Sequence, residues 1–427
     1  MTTRLSQLTQ LWTAQPPDRA PRWQQVANGA LWPLAILLVI HRIIVLALPG
    51  TATDDFTTVW SAARRFVERV PVYSETYHHV DPHYLYNPGA TLLLSPLGVF
   101  PDMSVVRPLF ILFNAACIIG ALAWLTRLVG RGLAHPVFPG AIAACFGTEA
   151  VTNTLMFTNI NGVLLLGLTA FLALLLHGSR GSSWAAGAVL GLCILVKPMF
   201  APLIVLPLMR LEWRAVVSAV AMPVLFNLVA WPLTPGARDY VDIVVPYLGI
   251  TRDYANSSLA GAAVYFDMPG WLHGLLFGII AAAVAVAVLG LARYRYSDEF
   301  MWAATSATVL ITGVCLLSSL GQAYYSMMVF PAVFTVLGRH SVFHTPAAWV
   351  GIFLCLSPLT WVTDGTYLAG RWANTFLPTA GWMIFIVAVA AWVVSEALIR
   401  REPKHDHGQA DELPRLDRGA VAREAQP

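Results

Sequence analysis

Two adjacent carboxylates, Asp54 and Asp55, lie in the segment TDDF just after the first long apolar run. A carboxylate that is shielded from water at a membrane edge can act as a general base toward a hydroxyl group. Aspartate is also favoured at the N-cap of a helix, and the pair alone favours this capping role for the segment that follows over the catalytic one. Both roles are compatible if one residue caps the helix and the other faces a cavity.

The segment YHHVDPHYLYNP, residues 77–88, combines histidines and tyrosines with one aspartate. Such a cluster can bind a metal ion, but spacing broken by prolines gives no regular ligand face, so we expect no metal. Aromatic faces and polar edges also suit a sugar, which makes His83 and Tyr84 candidate substrate-binding residues. The alternative is that the tyrosines anchor the chain at the membrane interface.

Polar side chains in apolar surroundings form a third group. Asn159 and Asn161 end the run VTNTLMFTNIN, and amides at membrane depth are costly unless they are paired or face a cavity. We take both as candidate substrate contacts, with hydrogen bonding between helices as the alternative. Lys197 in ILVKPMF is the only lysine before the C-terminal tail, and Pro198 breaks the helix beside it. We expect this ammonium either to reach the interface or to bind an anion, of which a phosphate is the best match.

Two further segments, TRDYANSS at 251–258 and GQAYYSMM at 321–328, complete the candidate site. Arg252 can bind phosphate through two hydrogen bonds, or pair with Asp253 instead. The remaining polar and aromatic side chains in these segments are candidate substrate contacts: Asn256, Gln322, Tyr324 and Tyr325.

Composition identifies the elements that must hold these residues. Of 427 residues, 57% are hydrophobic and 11% charged, whereas soluble proteins carry about 25% charged residues. The chain is therefore predicted to be an all-α polytopic membrane protein. The net charge of +3 gives no support for nucleic-acid binding, and the five cysteines lie in apolar stretches as small core residues. About 12 (10–13) transmembrane or re-entrant helices are predicted, near 30–48, 104–126, 136–149, 160–177, 184–196, 199–209, 215–232, 270–292, 300–320, 325–338, 345–362 and 377–399.

The arginines orient these predicted spans. If the N-terminus is cytoplasmic, most of the 26 basic residues fall in short inside loops or in the termini, as the positive-inside rule expects. We therefore predict a cytoplasmic segment 1–29, a membrane domain 30–400 and a disordered cytoplasmic tail 401–427. The long outer loops are about 49–103 and 233–269, and the first contains an amphipathic helix predicted to lie flat at the membrane surface. All the candidate residues then face the outside.

Several enzyme classes lack support. There is no P-loop, GxGxxG, HExxH or GxSxG, so no nucleotide or nicotinamide cofactor, zinc protease or serine hydrolase is indicated, and we expect no cofactor. Because nucleotide sugars are cytoplasmic, an outward-facing site is better matched by a substrate carried on a membrane lipid.

Longer runs of sequence carry a resemblance. TDDFTTVWSAARRFVERVPVYSE and HYLYNPGATLLLSPLGVFP resemble the first outer loop of family 87 membrane glycosyltransferases, which have a GT-C fold and use polyprenyl-phosphate sugars. The runs VDPHYLYNPGATLL, VTNTLMFTNINGVLLL, TRDYANSS, VYFDMPGW and GQAYYSMMVFP are similar to the α-(1→3)-arabinofuranosyltransferases that branch cell-wall arabinan in arabinogalactan and lipoarabinomannan of mycobacteria and related actinobacteria. The similarity extends from about residue 30 to 345.

The resemblance implies an inverting enzyme of the plasma membrane. Decaprenyl-phosphate-arabinose would donate arabinofuranose to the 3-hydroxyl of an α-(1→5)-linked arabinan, with Asp55 as the base and Lys197 and Arg252 beside the leaving phosphate. Tyr324 and Tyr325 stand where the mannosyl branch of the family carries paired histidines, which argues against that branch. The alternatives are a polyprenyl-phosphate-mannose-dependent mannosyltransferase, a polyprenyl-lipid flippase or transporter, and a non-catalytic assembly subunit.

Overall fold

The computed structural model describes residues 21–50, 55–78, 82–357 and 362–399, and every regular element within these ranges is a helix. Asp54 and the predicted tail 401–427 lie outside the described residues. The α-helices are α1 Arg22–Ile40, α2 Asp55–Val67, α3 Pro88–Leu94, α4 Met103–Leu128, α5 Val137–Phe146, α6 Glu149–Met156, α7 Asn161–His177, α8 Arg180–Val196, α9 Val205–Met209, α10 Trp213–Ala230, α11 Ala237–Asp239, α12 Val245–Leu248, α13 Leu259–Tyr265, α14 Gly270–Leu291, α15 Glu299–Leu317, α16 Phe330–Val333, α17 Pro346–Cys355 and α18 Tyr367–Ile399.

Shorter helical turns extend several of these helices. Two segments are wound as π-helix: His41–Ala47, which continues α1, and Tyr240–Val244. The 3₁₀ segments are Ser95–Val99, Pro198–Ile204, Trp231–Leu233, Ala292–Tyr294, Ala323–Val329, Phe334–Leu337 and Val342–His344.

Among the described residues, six helical segments are long and apolar enough to cross a membrane: Arg22–Ala47, Met103–Leu128, Trp213–Leu233, Gly270–Tyr294, Glu299–Leu317 and Tyr367–Ile399. They differ in burial. Most residues in the segments that begin at Glu299 and Met103 are buried, whereas the segments that begin at Arg22, Trp213, Gly270 and Tyr367 leave most of theirs unburied, with many apolar side chains exposed. Exposed apolar surface of this extent is unfavourable in water and is expected for helices that contact lipid. The prediction of an all-α polytopic membrane protein is confirmed.

Each predicted span overlaps a helix, but some boundaries differ. Helix α1 begins at Arg22, before the apolar run does. The predicted span 136–149 ends earlier, because Thr148 accepts a hydrogen bond from Val151 N and starts a separate helix, α6. The predicted span 325–338 is mostly 3₁₀ helix. These boundary differences occur where prolines and threonines begin or end a helix, and an average of hydropathy over a window does not detect such positions.

Helix α2 has the amphipathic pattern that the sequence predicts. It buries Phe56, Ala62, Ala63 and Phe66 and exposes Val67. Gly98 of the 3₁₀ turn packs directly on the backbone of Ala63, where any side chain at position 98 would overlap it. Arg64 also donates to Gly98 O over 3.1 Å. These contacts fix the position of α2, and with it the position of Asp55 at its first residue.

Helix α8 and the following segment Pro198–Met209 form a hairpin with Lys197 at its tip. Seven residues of 3₁₀ helix and five of α-helix return over only about 20 Å, less than the roughly 30 Å thickness of a bilayer core. The tip lies at the end of the hairpin opposite Arg180 and Arg210, and Lys197 is buried there.

The outer face of this hairpin packs on α10 through small residues. Gly187 and Gly191, four residues apart, meet the backbone of Ala215 and Ala219, and a Cβ at position 187 would overlap Ala215 O. Small residues at this spacing allow membrane helices to approach closely. The sequence analysis did not single out this motif.

We expect Gly187→Ala to destabilise the protein by about 1–3 kcal/mol, because overpacking must separate α8 from α10. Gly181→Ala is the matched control on the same helix, since a Cβ there meets no atom within 4 Å. The control should equal or slightly exceed the wild type in stability, because alanine favours helix. Thermal unfolding of the purified variants in detergent measures both. Equal unfolding temperatures for Gly187→Ala and Gly181→Ala would contradict the proposed close packing.

Candidate active site

Asp55 is the acidic centre of the site. Its Oδ2 accepts hydrogen bonds from Asn159 Nδ2 over 2.5 Å and from Tyr324 Oη over 3.0 Å. Both bonds end on the same oxygen, so Oδ1 has no hydrogen-bond partner among the described residues. A carboxylate held in this way by two donors has a fixed orientation and keeps one oxygen for a substrate proton.

The turn before α7 aims Asn159 at Asp55. Thr158 has a φ of 50°, a left-handed conformation that is rare for a β-branched residue and that indicates local strain. Asn114 on α4 stabilises the turn: its amide donates to Asn159 O, and its Oδ1 accepts from Val163 N over 3.2 Å. The Asn159 side chain, 5% exposed as a residue, is thus oriented from both sides.

Lys197 lies behind Asn159. Its Nζ donates to Asn159 Oδ1 over 3.0 Å and to Asn161 Oδ1 over 2.7 Å, and it sits 4.5 Å from the centre of the Tyr325 ring. The residue is only 8% exposed, and its charge attracts that of Asp55. One amide therefore links the carboxylate and the ammonium, accepting from Lys197 and donating to Asp55. An ammonium group has three donors, so one N–H remains beyond these two bonds.

An open cleft of about 260 Å³ lies beside Asp55. Its lining is mainly apolar and aromatic, with Asp55, Thr158 and Asn159 as the non-aromatic polar residues: Asp55, Phe56, Val59, Tyr86, Leu94, Phe110, Thr158, Asn159 and Ile160. A cleft of this kind places a bound molecule directly against the carboxylate and leaves the rest of it in apolar surroundings.

Arg252 and its neighbours approach the same centre from the second outer loop. The guanidinium of Arg252 lies 5.6 Å from the centre of the Tyr247 ring, it is half-buried, and its charge acts on Tyr325. Within the described parts of the chain it pairs with no carboxylate, Asp253 included. Asn256 is buried and links its own segment to residues 319–321, because its Nδ2 donates to Ser319 O over 2.8 Å and its Oδ1 accepts from Gly321 N over 2.9 Å. This joint fixes the segment that leads into Gln322 and Tyr324.

His83 and Tyr84 lie in the segment between α2 and α3, and none of their contacts with described residues is to Asp55. His83 Nε2 contacts the backbone of His78, and its ring packs between those of Tyr77 and Tyr247. Tyr84 is 1% exposed and shares a 2.8 Å hydrogen bond with Thr91, and burial raises the pKa of its phenol. The contacts of both side chains hold the loop together.

Some residues that the sequence analysis did not single out support the site. Tyr86 lines the cleft close to Asp55, and Asn114 orients Asn159. Arg107 is 5% exposed and donates from Nη2 to Ala47 O and Met156 O, which ties together the ends of three segments. Asn114 and Arg107 both lie in a long apolar helix, where a polar residue is itself a signal of function or of a buried contact.

The described residues contain no group of three or more His, Cys, Asp or Glu side chains that is arranged to hold a metal ion. All five cysteines are buried free thiols.

Tyr324→Phe should reduce turnover roughly 10- to 100-fold, because one hydrogen bond to a charged group contributes about 1.5–3 kcal/mol. The ring and its contact with Tyr325 are kept, so the protein should fold normally. Initial rates of turnover test this, with Tyr296→Phe as the control, since Tyr296 is 60% exposed and outside the site. Full activity of Tyr324→Phe would show that the hydroxyl does not orient Asp55.

Known proteins resemble this chain over most of its length. A protein from Corynebacterium glutamicum, named alpha-(1->3)-arabinofuranosyltransferase, is 50% identical over 404 residues, covering 92% of this chain and 96% of its own. Proteins of the same name from Mycolicibacterium smegmatis and Mycobacterium tuberculosis are 41% and 40% identical, and cover 88% and 87% of this chain and 87% and 86% of their own. No solved structure matches the chain. The sequence profile of glycosyltransferase family 87 matches residues 84–319, and together with these identities it shows that the chain is a membrane glycosyltransferase of family 87.

Proposed function

We propose that this protein is an inverting α-(1→3)-arabinofuranosyltransferase that moves arabinofuranose from decaprenyl-phosphate-arabinose to the 3-hydroxyl of an α-(1→5)-linked arabinan. The observation that carries the proposal is the arrangement Asp55–Asn159–Lys197, in which one amide joins a carboxylate at a cleft to a buried ammonium. The type of sugar is supported by the names of relatives that are 40–50% identical.

The proposed reaction is a single displacement. Asp55 Oδ1 accepts the proton of the acceptor 3-hydroxyl while that oxygen bonds to the anomeric carbon of the donor. The bond from the anomeric carbon to the phosphate oxygen breaks, and decaprenyl phosphate leaves with the electron pair. A β-linked donor gives an α-linked product, because attack and departure occur on opposite faces of the sugar ring.

We assign the leaving phosphate to the side of the two cations near the site, Lys197 and Arg252. Arg252 is the more accessible, and its fork can bind two phosphate oxygens. Lys197 contributes its charge from the buried hairpin tip, at short range and in a medium where electrostatic attraction is strong. Stabilisation of charge that appears in the transition state raises turnover.

The same proposal includes an orientation in the membrane. About twelve segments, some of them re-entrant, place both termini in the cytoplasm and the site outside, and α2 lies at the outer membrane surface. The distribution of arginines supports this arrangement. The amphipathic pattern of α2, with buried Phe56 and Phe66 and half-buried Arg64 and Arg65, supports an interfacial position. The prenyl chain of the donor then lies between helices, in contact with lipid.

Cysteine labelling tests this orientation. Asp253→Cys should react with a membrane-impermeant maleimide in intact cells, whereas Arg131→Cys should react only after permeabilisation, because both positions are exposed and the proposal assigns them to opposite sides of the membrane. The five native cysteines are buried and should give a low background. The reverse labelling pattern would place Asp55 inside and overturn the proposed use of a lipid-linked donor.

The function itself is tested with purified full-length protein and a synthetic α-(1→5)-arabinan acceptor. Lipid-linked arabinofuranose and lipid-linked mannose are offered in parallel, and the linkage of any product is determined. We expect transfer of arabinofuranose alone, to the 3-position. Transfer of mannose in preference to arabinofuranose would favour the mannosyltransferase alternative, and transfer of neither would contradict the proposal.

A further inference from the structure

A second cavity, of about 290 Å³, lies on the other side of the Ala323–Val329 turn from the cleft at Asp55. It is bounded by α6, by the ends of α17 and by the first part of α18. Its polar side chains are Glu149, Asn153, Ser357 and Asn374, and Ala323 forms part of its wall. The mechanism above uses none of these residues.

Two hydrogen bonds of α6 form part of the wall of this cavity. Glu149 N donates to Ser357 O over 3.0 Å, which joins the start of α6 to the end of α17. Asn153 Nδ2 donates to Glu149 Oε1 over 3.3 Å. The carboxylate and the amide therefore lie one helical turn apart on the same face, and both border the cavity.

The same face of α6 leads toward the reacting carboxylate. Residues four apart on a helix share a face, so Phe157 follows Glu149 and Asn153 in line. Phe157 continues the helical hydrogen bonding, since its N–H donates to Asn153 O over 2.9 Å, and its ring is 43% exposed. Its ring centre lies 6.4 Å from that of Tyr324, whose hydroxyl reaches Asp55. From Glu149 to Phe157 this track measures about 12 Å, at 1.5 Å per residue.

The chemistry of this track fits a neutral sugar chain. The carboxylate can accept hydrogen bonds from hydroxyl groups, and the amides can both accept and donate them. An exposed ring can stack on the face of a sugar. The negative charge of Glu149 disfavours the phosphate of the donor. The cavity is open to its surroundings, so a hydroxyl-rich sugar residue can meet these polar side chains from outside.

We infer that the cavity at Glu149, Asn153 and Asn374 is a distal acceptor subsite, which binds a sugar residue of the glycan acceptor remote from the hydroxyl that reacts at Asp55. The inference rests on the proposed function for the identity of the acceptor. It predicts that long acceptors bind more tightly than short ones, because only a long chain reaches both Asp55 and the distal cavity.

The test compares Glu149→Gln and Asn153→Leu with the wild type, all as full-length purified protein. Thr152→Val is the control, since its hydroxyl bonds within α6 to Thr148 O and it does not line the cavity. Kinetics are measured with lipid-linked arabinofuranose and with two synthetic α-(1→5)-arabinofuranosides, one short and one long. Binding of the long arabinofuranoside without donor is measured separately.

We expect both variants to raise KM for the long acceptor and to weaken its binding by about tenfold, the effect of one lost hydrogen bond to a charged or buried group. The kcat, the KM for donor and the rates with the short acceptor should stay within twofold of the wild type. Equal binding of the long arabinofuranoside by wild type and variants, or equal effects on both acceptors, would overturn the inference. If the wild type binds the long arabinofuranoside but transfers no sugar to it, the proposed function is overturned. The difference in binding between the wild type and the variants then tests the subsite by itself.

Discussion

Asp55→Asn should lower the rate of glycosyl transfer by about 10²–10⁴-fold, the range expected for loss of a general base. The amide keeps the shape of the carboxylate, and its carbonyl oxygen can still accept from Asn159 and Tyr324. The NH₂ group then occupies the position of Oδ1, where it donates and cannot take a proton. Turnover should therefore fall while the protein folds normally and still binds its acceptor.

The controls for this prediction are two other aspartates. Asp253→Asn removes an exposed carboxylate of the second outer loop and should leave turnover unchanged. Asp54→Asn, at a position outside the described residues, should have a milder effect than Asp55→Asn if Asp54 chiefly caps the helix, a contribution of about 1 kcal/mol. The opposite order of the two activities would assign the base to Asp54. Rates are measured at saturating donor and acceptor, with unfolding temperatures recorded for each variant.

Lys197→Met has the second large expected effect, a loss of about 10²–10³-fold in turnover, as for removal of one preorganised electrostatic contact. The methionine keeps the apolar stem of the side chain but removes the ammonium. Asn159 Oδ1 and Asn161 Oδ1 then lose their shared donor, so the amide that orients Asp55 is less firmly held. Two buried carbonyl groups without that donor should also lower stability, by about 1–3 kcal/mol each where they stay unsatisfied.

Comparison with Arg252→Met separates two roles for the lysine. If Arg252 holds the donor phosphate directly and Lys197 acts from behind Asn159, Arg252→Met should mainly raise KM for donor, whereas Lys197→Met should mainly lower kcat. Lys197→Arg should restore activity only in part, because a planar fork does not replace a compact ammonium between two amides. Near-normal turnover in Lys197→Met would show that the lysine serves packing alone.

The membrane class and the list of candidate residues came from local sequence properties. The chain has long apolar runs that are broken by prolines and separated by arginines. Whether such a run enters the membrane depends on the free energy of transferring that segment into lipid, which needs no tertiary contact. Asp55, Lys197 and the amides near 160 stood out for the same local reason, because charged and amide groups are costly in apolar surroundings and must have partners.

Which partners these residues find was decided only by tertiary packing. Asn159 and Tyr324 reach Asp55 from positions 104 and 269 residues away, through a strained turn at Thr158 and a 3₁₀ segment that no periodicity predicted. The sequence also allowed Lys197 to extend to the interface, but in the structure it is buried and two amides bind it. His83 differs from Lys197 in this respect. The histidines and tyrosines around it suggested a ligand site, but in the structure its ring packs against Tyr77 and Tyr247. Side-chain type therefore determined which residues needed a partner, while the geometry of close packing between distant helices determined which partner each one has.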